Sequence, residues 1–141
     1  MNDDELKRIL TSIKTIAVVG LSSNPEKDSY TVPEYLQQQG YRIIPVNPNA
    51  AEILGEKVYS SLESIPEKVD AVQIFRKSED VPPVVDGAIK IGAKVVWMQE
   101  GIVHEEAAKK ARDAGLQVVM SMCMRFTHRR LIGPVKKPMN V

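Results

Sequence analysis

Five short apolar runs alternate with segments whose apolar residues recur at helical spacing. The first, Thr15-Ile-Ala-Val-Val-Gly20, is unbroken and rich in β-branched residues. That is the pattern of a parallel strand covered on both faces. Three others follow directly on a glycine: Gly40-Tyr-Arg-Ile-Ile-Pro-Val46, Gly92-Ala-Lys-Val-Val-Trp-Met98 and Gly115-Leu-Gln-Val-Val-Met120. Glycine just past a helix turns left-handed without steric cost, so each reads as a helix end followed at once by a strand. Asp70-Ala-Val-Gln-Ile-Phe75 supplies the remaining run.

Between these runs the period changes. Met1 to Leu10 is charged with an amphipathic helical pattern, giving an N-terminal helix within residues 1–12. In Val32 to Gly40, Val32, Tyr35 and Leu36 share one helical face, and Thr31 and Glu34 have capping-box spacing. Pro33 then belongs in the first turn, where its missing N–H costs nothing. Helices also fit Val81 to Ile91 and His104 to Ala114, the latter with a stripe of Ala107, Ala108, Ala111 and Ala114. Strands alternating with helices predict an α/β fold: a Rossmann-like three-layer sandwich, its sheet mostly parallel, with helices on both faces. The 141 residues read as a single domain, with residues 130–141 as a basic C-terminal tail, Arg129-Arg130 through Lys136-Lys137.

Composition narrows the function. Lys and Arg number 19 against 18 Asp and Glu, a net charge of +1. A nucleic-acid binder needs surplus cations, so none is expected. One cysteine leaves no internal disulfide and no cysteine-based zinc site, and a reduced, cytoplasmic setting fits best. No apolar run approaches the roughly 20 residues of a membrane span.

In such folds ligands sit at the carboxyl ends of the strands, so the chemistry is read there. After the first run stands Gly20-Leu-Ser-Ser-Asn-Pro25. A dinucleotide fingerprint would carry glycines where Ser22 and Pro25 stand. Ser22, Ser23 and Asn24 still offer hydroxyl, amide and backbone N–H donors, the next helix adds its dipole, and Lys27 adds a cation; the stretch reads as a phosphate loop, with a plain strand-to-helix turn and a solvated lysine as the alternative. After the second run comes Val46-Asn47-Pro48-Asn49, where an NAD site would want an acid for the ribose hydroxyls. Arg76 and Lys77 follow Phe75, and Arg76 could fork a second phosphate. Ser78 reads as a helix cap followed by Glu79 and Asp80. Trp97-Met98-Gln99-Glu100-Gly101 closes the set: Gly101 permits a tight turn, Gln99 and Glu100 point into the crevice, and Trp97 and Met98 read as core side chains.

These strand ends, with Cys123-Met-Arg-Phe-Thr-His128, together resemble the CoA-binding domain family. This is the Rossmann-like domain also found as the N-terminal part of the succinyl-CoA synthetase alpha subunit. The likeness runs from about residue 10 to about residue 130 and is nearest to the small stand-alone bacterial members. It implies coenzyme A, or an acyl-CoA, across the carboxyl edge of the sheet. Ser22, Ser23, Asn24 and Pro25 match the phosphate loop, Asn47 and Pro48 the turn after the second strand, and Met98, Gln99 and Glu100 a stretch that meets CoA. Arg76 lies between them at the mouth.

Two departures stand out. A lysine of the ligase domain falls at about Ala50 here, and the stand-alone Asp-Arg-Cys and Glu-His places read Ser121-Met-Cys123 and Thr127-His128. The synthetase's catalytic histidine belongs to another domain, and neither His104 nor His128 matches it. The resemblance therefore implies binding without ligase chemistry. Cys123 reads as an inert core thiol rather than a nucleophile paired with His128, and His104 as a helix-start residue. Two alternatives stay open: an NAD(P)- or other nucleotide-dependent enzyme, and a protein-interaction subunit with a degenerate nucleotide site. A homo-oligomer or an unidentified protein partner also stays open.

Overall fold

The computed structural model describes residues 1–134. Five parallel strands form the sheet: β1 (Thr15–Val19), β2 (Arg42–Val46), β5 (Ala71–Ile74), β6 (Val95–Met98) and β7 (Gln117–Val119), in the order β2-β1-β5-β6-β7. A separate antiparallel pair, β3 (Glu52–Ile53) and β4 (Glu56–Lys57), lies in the connection from β2 to β5 and was not legible as strands. The helices are α1 (Asp3–Ser12), α2 (Asp28–Gln38), α3 (Val81–Lys90), α4 (Glu105–Asp113) and α5 (Met124–Leu131). All five expected strands are present, and the three helix-ending glycines take positive φ: Gly40 at 101°, Gly92 at 76° and Gly115 at 92°.

Alternation along each strand divides the core in two. Ala17, Val19, Val72, Ile74, Val96 and Met98 face α3 and α4, where Val85, Ala88, Ala108 and Ala111 are buried. Ile16, Val18, Ala71 and Trp97 face the other way, against Leu6 and Ile9 of α1, Leu36 of α2 and Met124 of α5. The small-residue stripe of α4 is buried at Ala107, Ala108 and Ala111, but Ala114 lies past the helix end and is exposed. The result is a Rossmann-like α/β sandwich.

Three local expectations are corrected. First, α2 begins at Asp28, because the Lys27 carbonyl already accepts the N–H groups of Tyr30 and Thr31, so Thr31 is no cap and Pro33 stands inside the helix. Second, Ser78 does not cap α3; residues Ser78–Asp80 form a 3-10 turn and the Ser78 hydroxyl accepts the Val103 N–H at 3.0 Å. Third, Arg129 and Arg130 are not tail residues but lie in α5, where Arg130 grips Asp3 of α1 through two hydrogen bonds of 2.9 and 3.0 Å. Lys136 and Lys137 fall outside the described residues. α5 itself went unread, although Met124, Thr127, His128 and Leu131 repeat at helical spacing and its last turn is basic, which suits the negative helix end.

Candidate functional site

β1 leads through α2 to β2 on one side, and the chain then returns past β1 to β5 on the other. That reversal opens a crevice at the carboxyl ends of β1 and β5. Gly20 stands at its floor with φ 90°. A Cβ on it would sit 2.4 Å from the Phe75 carbonyl oxygen, so only glycine lets the two strand ends close on each other. The Gly20 N–H donates to the Val46 carbonyl at 3.0 Å, which joins the end of β2 to the same point.

The loop after Gly20 is held from within. The Ser22 hydroxyl accepts the Asn24 N–H at 3.0 Å, the Asn24 side chain accepts the Glu26 N–H at 3.0 Å, and the Asn24 carbonyl accepts the Lys27 N–H at 3.1 Å. The Ser22 N–H donates to Ser29 of α2 at 3.0 Å. The Leu21 and Ser23 N–H groups are left with no acceptor among the described residues. Leu21 is fully buried, whereas Ser23 is exposed and its N–H lies beside the start of α2, where the helix end is positive. Asn24, Pro25 and Lys27 are exposed around it.

Asn47 acts differently from the other loop residues. Its Nδ2 donates to the Leu21 carbonyl at 2.9 Å and its Oδ1 accepts the Asn49 N–H at 2.8 Å. It braces the loop after β1 from behind, and Pro48 beside it is exposed. Arg76 lines a cavity of about 260 Å³ with Val19, Val46, Ser60, Ser61, Val84 and the acidic Glu63. Ser60 and Ser61 come from the long β2–β5 connection rather than from a strand end.

At the other end of the edge the expectations divide. Met98 is fully buried on the α3–α4 face as a core side chain, so it is not offered to the edge; its carbonyl accepts the Met122 N–H at 3.3 Å. Gln99 is 6% exposed and turned inward rather than into the crevice. Its Oε1 accepts Nε2 of Gln73 and the backbone N–H of Met124, both at 3.2 Å, which holds the first turn of α5. Gln73, fully buried in mid-strand, was not singled out from sequence. Glu100 and Gly101 are exposed, and Gly101 donates its N–H to the Ser121 hydroxyl at 3.1 Å. Glu100 borders a depression of about 500 Å³ shared with Ser121, Met122, Cys123, Arg125, Phe126 and Arg129.

Cys123 and His128 do not act as a pair. Cys123 borders the depression at the start of α5, whereas His128 is 3% exposed, its Nδ1 2.9 Å from the Tyr35 hydroxyl and its ring edge-on to Tyr35 and Tyr41. Burial pushes the His128 pKa below its usual value. His104 caps α4, its Nδ1 accepting the Ala107 N–H at 3.1 Å. Among the described residues no group of three His, Cys, Asp or Glu side chains could hold a metal ion, and no helix is long and apolar enough to cross a membrane.

The fold is that of a Rossmann-like α/β domain with a crevice at the carboxyl edge of its sheet. The family model of the CoA binding domain matches residues 14–129, and the chain belongs to that family. It is 44% identical over 124 residues to the Bacillus subtilis protein YneT, covering 88% of this chain and 92% of YneT. It is 32% identical over 133 residues to the alpha subunit of the ADP-forming acetate–CoA ligase I of Pyrococcus furiosus, covering 89% of this chain but 29% of that subunit. A solved structure of a hypothetical protein from Pyrococcus horikoshii superposes with a TM-score of 0.92 at 45% identity, covering 94% of both chains.

Proposed function

We propose that this protein binds coenzyme A or an acyl-CoA along the carboxyl edge of its sheet and performs no ligase reaction of its own. The observation that carries the reading is the exposed, unpartnered Ser23 N–H in a loop clamped on three sides beside the switch-point crevice. The diphosphate takes that donor, with Lys27 beside it. The adenosine end enters the cavity bordered by Val46, Ser60 and Arg76, where Arg76 offers a guanidinium to the 3′-phosphate in place of the lysine missing near Ala50. The pantetheine arm runs over the ends of β5 and β6 toward Glu100. Family membership supports CoA as the ligand class. The reading differs from an NAD(P) site in two residues: Asn47 is committed to bracing the loop, and the second fingerprint glycine is replaced by Ser22, whose hydroxyl is already engaged.

Calorimetry and thermal shift with CoA, dephospho-CoA and NADP test it. Saturable CoA binding, weakened about tenfold without the 3′-phosphate or in Arg76→Gln, is the expected result. A ligand that binds only the folded state must raise the melting temperature. No binding at millimolar CoA overturns the reading.

A further inference from the structure

The cavity beside Arg76 has two ends. Its inner end adjoins the loop after β1: Val19 directly precedes Gly20, and the Val46 carbonyl accepts the Gly20 N–H at 3.0 Å. At its outer end Glu63, Pro83 and Gly87 also border a second depression of about 380 Å³, which continues over α3 to Lys110 of α4. Glu63 therefore stands where the cavity opens away from the loop.

A glycine sets the position of that acid. Gly87 lies inside α3 with an ordinary helical backbone, where glycine weakens a helix relative to alanine. A Cβ on it would sit 3.0 Å from Oε1 of Glu63 and 3.1 Å from Cδ1 of Leu62. The missing side chain lets the 3-10 turn Leu62–Ser64 close on α3 and seats the Glu63 carboxylate against the helix. That carboxylate has no ion-pair partner among the described residues: Lys110 pairs with Asp86, and Arg76 on the same cavity carries no acid. A seated acceptor with no donor, at the open end of a cavity walled by Val46, Pro83 and Val84, suits the polar edge of a flat heterocycle.

We propose that Glu63 reads the base of the bound nucleotide: its carboxylate accepts the exocyclic amine of adenine, and Gly87 is the residue that positions it. The inference rests on the CoA reading above and names the residue that sets base specificity. With the diphosphate on the loop, the ribose and its phosphate meet Ser60 and Arg76, and the base comes last along the cavity, beside Glu63. An amine gives the carboxylate a charge-assisted hydrogen bond, whereas a purine without it leaves the carboxylate facing a C–H group.

Calorimetry with CoA and with the CoA analogue whose purine lacks the 6-amino group tests the proposal. The wild type is expected to bind CoA about tenfold tighter than the analogue. Glu63→Ala binds the two alike. Glu63→Gln keeps a neutral acceptor and a preference of about threefold, because a neutral hydrogen bond is roughly half as strong as a charge-assisted one. Gly87→Ala displaces the carboxylate and lowers the preference while affinity for the analogue stays at the wild-type level, a separation that a merely structural role does not produce. Glu63 is exposed, so its replacement leaves the fold in place, and thermal melts of each variant check this. Equal affinity of the wild type for both ligands, or a preference that survives in Glu63→Ala, overturns the proposal while CoA binding stands. Failure of CoA and of the analogue to bind overturns both readings.

Discussion

The Ser22 N–H reaches the Ser29 carbonyl at 3.0 Å because Pro33 leaves that carbonyl free. In an uninterrupted helix the residue-33 N–H would bond the carbonyl four residues back, which is that of Ser29. Proline has no N–H to give and its ring crowds that acceptor. The defect in α2 thereby becomes the anchor of the loop after β1.

Replacing Pro33 by alanine restores a competing donor. The Ser22 amide is expected to exchange with solvent faster, and CoA affinity to fall about fivefold, the equivalent of one hydrogen bond of about 1 kcal/mol. Hydrogen exchange followed by NMR reads the first and calorimetry the second; an unchanged Ser22 exchange rate refutes the anchoring role.

Gly20→Ala places a methyl group against the Phe75 carbonyl in a left-handed backbone. The chain must open the β1–β5 junction to accommodate it. Destabilisation of more than about 2 kcal/mol is expected in urea unfolding. A midpoint within error of the wild type would refute the close-approach argument.

Asn47→Asp keeps the acceptor for the Asn49 N–H and removes the donor to the Leu21 carbonyl. It also adds a negative charge behind the phosphate loop. Stability is expected to fall by about 1 kcal/mol and CoA affinity by more than that alone accounts for. Salt titration separates the two effects, because only the charge term is screened.

Stability should have two acid limbs. His128 is buried with its pKa depressed, so the unfolded chain binds a proton that the folded ring refuses. Its contribution is complete above about pH 6.5 and is lost as pH falls from there through the folded value. Burial would raise the Asp70 pKa, but bonds from the Thr15 and Lys14 N–H groups, with Lys94 and Lys68 nearby, hold it below its usual value. That contribution is lost below about pH 4. Urea midpoints from pH 3 to pH 8 should show both limbs, and His128→Gln should flatten the upper one alone.

The strands and the glycines that start them were legible because burial on both faces demands continuous β-branched runs, and left-handed helix ends demand glycine. The loop after β1 was legible as a polar strand-to-helix junction, since small and polar residues follow a buried strand there. Sequence did not show which of its polar groups are spent on the loop itself. Asn24 and Ser22 use their side chains on neighbouring N–H groups, and Asn47 uses its own on Leu21. Likewise Gln99 looks like an edge residue in the chain and is a buried clamp in the fold, because Gln73, 26 residues away, meets it there.

The sequence by itself determined the layers: period, turn chemistry and burial are local and survive in one dimension. Only the tertiary structure decided the site. Strand order places the β1 and β5 ends side by side, Pro33 frees a carbonyl that a distant N–H then takes, and α5 sets Arg125 and Arg129 on one depression. Those relations depend on which partners the closed fold brings within hydrogen-bond reach, and no spacing along the chain encodes that distance.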